Sequence, residues 1–129
     1  MTNTQTTHIT IDERVPLSQT KLWDAQRHYY QSQGIQAWAH HVPYYVTSNP
    51  YFANSYASII VRYIQDQMIK GVINTDEPVY IVELGAGSGT FSFYFLKIFT
   101  ELVSALSVTV STVYVMTDII TENLSLIHI

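Results

Sequence analysis

Residues 79–91 of the chain, VYIVELGAGSGTF, decide how it folds. An apolar run at 79–82 reaches an acid, Glu83. Glycines come next at alternate positions, Gly85, Gly87 and Gly89, and a helical pattern starts at Thr90. A short apolar run closed by glycines reads as a buried strand, and the glycine segment reads as a tight turn leading into a helix N-terminus. Glycine has no Cβ, so a ligand can approach such a turn closely, and the amides opening a helix favour it electrically. The stretch reads as a nucleotide-cofactor loop.

The pattern extends downstream. Phe91, Phe95, Ile98, Phe99 and Leu102 recur at helical spacing over 90–105, and the β-branched run 108–116 reads as a second strand ending at Asp118. Strand, glycine turn, helix, strand and acid open an α/β doubly wound sheet. Upstream, 51–70 is a helix with an expected apolar stripe of Phe52, Tyr56, Ile59, Ile60, Tyr63, Ile64 and Met68. Asn49 is its expected N-cap, Pro50 its first residue and Gly71 its stop.

Further out the signals weaken. The segment 19–33 reads as a helix between Ser18 as N-cap and Gly34, and 35–41 adds a helical turn carrying Trp38. The adjacent pair His40 and His41 does not share a metal, because neighbours on a helix point apart. Residues 8–12 alternate like a short strand, and 1–7 are polar. The aromatic loop 43–50 is read in two ways: as a lid using Tyr44, Tyr45 and Tyr51, or as packing of an N-terminal extension on the sheet.

Composition narrows the function classes. With 47% apolar and 12% charged residues, the chain has the means to bury a core. A net charge of −4 and six scattered Lys and Arg residues leave no footprint for nucleic acid. No cysteine is present, which excludes disulfides and thiolate metal sites and fits a cytoplasmic location. The least polar window, 98–116, carries Glu101 and many hydroxyls, so no membrane span is expected.

The glycine spacing bears on the cofactor. Dinucleotide fingerprints run G-x-G-x-x-G, whereas position 90 here is Thr and the spacing is G-x-G-x-G with an acid two residues ahead. Acid-Leu-Gly-Ala-Gly-Ser-Gly resembles the first motif of class I S-adenosylmethionine-dependent methyltransferases, over 79–118. Tyr29 and Tyr30, the loop 46–50 with Phe52, and the spaced Asp118 are similar to the layout of MidA-type protein methyltransferases; Asn49 between Ser48 and Pro50 departs from it. The resemblance implies a Rossmann-like methyltransferase fold that binds S-adenosylmethionine and acts on a protein side chain such as arginine. Its implied cofactor residues are Glu83, toward the ammonium, Gly85, Ala86, Gly87 and Gly89 around the methionine portion, and Asp118, toward both ribose hydroxyls. No metal and no catalytic residue are assigned. The competing classes are an NAD(P)-binding oxidoreductase domain and a non-catalytic assembly module of the same fold.

The expected organisation is a mainly helical N-terminal extension over 1–50, the first part of the cofactor domain over 51–123, truncated after the second core strand, and a tail at 124–129. The tail, LSLIHI, is also the peptide that a common sequencing-adapter end encodes, so it is expected to be non-native. An apolar C-terminal strand is the competing reading.

Overall fold

The computed structural model describes residues 11–34, 36–40, 43–120 and 123–124. Helices α1 (Leu22–Gln33), α2 (Gln36–His40) and α3 (Pro50–Ile69) lead into β1 (Val79–Leu84), α4 (Thr90–Ala105) and β2 (Thr112–Thr117). β1 and β2 pair in parallel, from Val79 opposite Thr112 to Leu84 opposite Thr117. Parallel neighbours need a crossover, and α4 supplies it. The chain is thus mixed helix and strand around a small two-stranded parallel sheet, in keeping with the α/β expectation.

The core lies where α3 packs on α4 and both cover one face of the sheet. It gathers Ala53, Ala57, Val61 and Ile64 from α3, Phe95 and Phe99 from α4, and Val108 and Val110 ahead of β2. Phe91, Phe95 and Phe99 repeat every four residues and so stack along one side of α4, with ring centroids 5.9 and 5.3 Å apart. Tyr114 of β2 joins them, stacked on Phe95 at 5.2 Å. Val79 and Ile81 pack against the same core, while Tyr80, Val82 and Leu84 on the opposite face are exposed.

Three expectations need correction. The stripe on α3 is displaced: Ile60, Ile64 and Met68 meet the core, but Phe52, Tyr56, Ile59 and Tyr63 are exposed. Alanines 53 and 57 take the buried positions because small side chains let α3 approach the phenylalanines of α4. Helix α1 begins at Leu22, three residues late. Ser18 lies in a 3₁₀ turn, Leu17–Gln19, and the carboxylate of Asp12 accepts the Lys21 N–H at 2.6 Å. That acceptor comes from nine residues upstream, outside the local capping pattern. β2 begins at Thr112 rather than 108, because β1 starts opposite Thr112 and the earlier residues have no strand to pair with.

Asn49 caps α3, accepting the Phe52 N–H at 3.1 Å with Pro50 at the first position, and Gly71 lies just past the helix at φ +67°. Of the expected strand at 8–12, Ile11 and Asp12 are described and lie in no strand. Residues 1–10, His41 of the histidine pair and residues 125–129 of the tail fall outside the described residues.

Candidate functional site

The glycine turn sits between the C-terminal end of β1 and α4 and is pinned to the end of β2. Gly85 N–H and Ala86 N–H both donate to the Thr117 carbonyl, at 2.9 and 2.8 Å. The Thr117 hydroxyl donates back to the Glu83 carbonyl at 2.7 Å. Gly85, Gly87 and Gly89 all have positive φ, +76°, +55° and +74°, so the alternation seen in the sequence is a backbone requirement. Gly89 directly precedes α4, and its N–H donates to the Ala86 carbonyl at 2.9 Å.

Gly85 and Gly87 face different surroundings. A Cβ added at Gly85 meets nothing within 4 Å, whereas one at Gly87 lies 3.1 Å from Cζ2 and 3.3 Å from Cε2 of Trp38. The space expected for a ligand is therefore free over Gly85, while an indole fills it at Gly87.

Glu83 lies on the half-buried face of β1. Its Oε2 accepts the Tyr114 hydroxyl at 2.8 Å and the hydroxyl of the fully buried Ser92 of α4. Its other oxygen carries no hydrogen bond among the described residues. Tyr114 is held protonated well above its ordinary range, first by burial and then by donation to the Glu83 carboxylate and that group's negative charge.

Asp118 comes directly after β2 and reaches back across the turn. Its Oδ2 accepts the Gly87 N–H at 2.7 Å, and its Oδ1 accepts the Ile120 N–H at 2.8 Å and the Asn123 side-chain amide at 3.3 Å. A carboxylate offers roughly four acceptor positions. At least three are in use within the chain, so Asp118 clamps the turn and has room for at most one further donor, fewer than the two hydroxyls expected of it.

Among the described residues Gly85 lines three clefts around the turn. The largest, about 680 Å³, lies between β1, α3 and the start of α4 and is walled by Glu83, Tyr114, Phe91, Tyr56, Thr47 and Ser48, among others. The second, about 230 Å³, runs along the loop 85–88 beneath Tyr44, Thr47 and Ser48. The third, about 250 Å³, lies between Tyr30, Trp38 and the segment 118–120. Of the expected lid residues Tyr44 lines a cleft; Tyr45 and Tyr51 are exposed and line none of the three.

Glu83, Gly85, Ala86, Gly87, Gly89 and Asp118 are thus brought together around one turn. Trp38, Ser92 and Tyr114 were not expected in it. Ser92 had a weak signal, being a polar residue on an aromatic helix face. Trp38 and Tyr114 arrive through tertiary packing alone. Among the described residues no three His, Cys, Asp or Glu side chains are grouped to hold a metal, and no helix is long and apolar enough to cross a membrane. No family model, curated protein or solved structure matches the chain.

Proposed function

We propose that this chain is the cofactor-binding part of an S-adenosylmethionine-dependent methyltransferase of Rossmann-like fold, cytoplasmic, with a protein side chain as acceptor. The observation that carries the reading is Glu83: a carboxylate at the end of a parallel strand, beside a bare Gly85, opening on a cleft within the range of small-molecule sites. The protein-acceptor part rests on the likeness of 29–30, 46–50 and 118 to MidA-type enzymes.

S-adenosylmethionine supplies a methyl group already activated on a sulfonium. What remains for the chain is to bind, orient and exclude water. Glu83 pairs with the ammonium through the oxygen not taken by Tyr114 and Ser92. Gly85 admits the ligand against the backbone. Asp118 holds the turn in shape through Gly87 and accepts one ribose hydroxyl. The spacing of the glycines and the acid ahead of them weigh against a pyrophosphate-bearing dinucleotide.

Calorimetric titration of the protein with S-adenosylmethionine and with NADH tests this. Saturable binding of the first is expected. Binding of NADH alone would reject the reading in favour of an oxidoreductase domain. Saturable binding of neither would leave a non-catalytic assembly module that lacks the ligand.

A further inference from the structure

The geometry points to Trp38 as a ligand-contacting residue of this site, contributed by the segment ahead of the sheet; the inference rests on the cofactor reading above. Trp38 packs directly on Gly87, so the missing Cβ at 87 makes room for an indole rather than for a ligand. The indole is itself stacked on Tyr30, with centroids 5.2 Å apart and planes 26° from parallel. It is a built wall, backed on one side by an aromatic ring and seated against the turn.

That wall separates two clefts of about 230 and 250 Å³, each below the ~300 Å³ at which small-molecule pockets begin. They share Gly85, where nothing stands within 4 Å of the Cβ position. The largest cleft also reaches Gly85, so a ligand the size of a nucleoside bearing an amino-acid tail, with its ammonium at Glu83, extends over Gly85 and passes Trp38. Its flat ring lies on the side of Tyr30, Trp38 and Ile119. In this arrangement the N-terminal segment forms part of the binding surface and does more than cover the core.

The chain has two tryptophans, Trp23 and Trp38. Trp23 lies apart, its indole N–H donating to the Leu17 carbonyl at 2.6 Å. In a Trp23→Phe background Trp38 is the one indole, and titration with S-adenosylmethionine is monitored by its emission and by calorimetry. A saturable emission change with the calorimetric Kd is expected. Trp38→Ala weakens binding about tenfold, the order of one lost aromatic stacking contact, and Trp38→Phe restores most of it. Binding with unchanged emission, or equal or tighter binding by Trp38→Ala, overturns the role of Trp38 and leaves the cofactor reading standing. Absence of S-adenosylmethionine binding by the unmodified protein rejects that reading, and this inference with it.

Discussion

Gly85 and Gly87 are two positions apart and have opposite neighbours, which separates backbone strain from steric contact. Left-handed backbone costs a residue with a Cβ about 1 kcal/mol, and that cost applies at both sites. At Gly87 the new methyl also meets Trp38 at 3.1 Å. Gly87→Ala is therefore expected to destabilise more than Gly85→Ala in urea unfolding, and the difference should vanish in a Trp38→Ala background. Equal costs in both backgrounds would show that Trp38 does not press on the turn. A valine at 87 would disturb binding by displacing Trp38 without any ligand touching it, so position 85 is the informative one for the cofactor. Tyr114 gives a second test. Its folded-state pKa lies above the unfolded value near 10, so the folded state keeps a proton that the unfolded chain releases. That contribution is fully present below about pH 10 and is lost as pH rises beyond it. Tyr114→Phe should flatten the fall in stability above about pH 10. An unchanged slope in that variant would reject Tyr114 as the source of the fall.

The contact between α3 and α4 depends on small residues meeting large ones. Ala53 and Ala57 are fully buried, facing a core led by Phe95 and Phe99. Enlarging Ala57 to Leu should force the helices apart and cost about 1–3 kcal/mol, whereas Tyr63→Ala, on a residue 62% exposed, should stay within about 0.5 kcal/mol. The reverse order in thermal or urea unfolding would restore the aromatic stripe as the core face. This pair also marks the limit of sequence reading for helices. The Asn49 cap, Pro50 and the full span of α4 were legible because each signal is local to its element. The face of α3 was not, because choosing between an alanine row and an aromatic row needs knowledge of how close the neighbour comes. The start of α1 was hidden for a related reason, since its acceptor on Asp12 is not adjacent in sequence. In the site the same division holds. The turn from Glu83 to Gly89 is contiguous and could be read; Trp38 and Tyr114 enter from other elements.

Among the described residues α3 and α4 cover one face of the sheet, and the other face is exposed. Apart from Glu83, β1 is apolar on both faces, the composition of a strand buried on both sides. Tyr80, Val82 and Leu84 nevertheless project into solvent, Leu84 at 84% exposure, next to the half-exposed Val113 of β2. Their backbone groups add to this. Val79 N–H donates to Ser111 and Gly85 N–H to Thr117, so the odd positions of β1 face β2 and the even ones leave N–H and C=O groups along the free edge. An apolar face and an unprotected edge on the same three residues are a template for pairing with another chain. The protein should therefore self-associate with rising concentration. Val82→Lys should suppress that association by placing a charge in the centre of the face, as natural edge strands do. The α3–α4 core lies on the other side of the sheet, so unfolding stability should change by no more than about 0.5 kcal/mol. Sedimentation velocity over a concentration series, run on both proteins, reads the difference. Association that persists unchanged in Val82→Lys would locate the self-contact elsewhere, with the exposed row of Tyr56, Ile59 and Tyr63 on α3 as the next surface to charge.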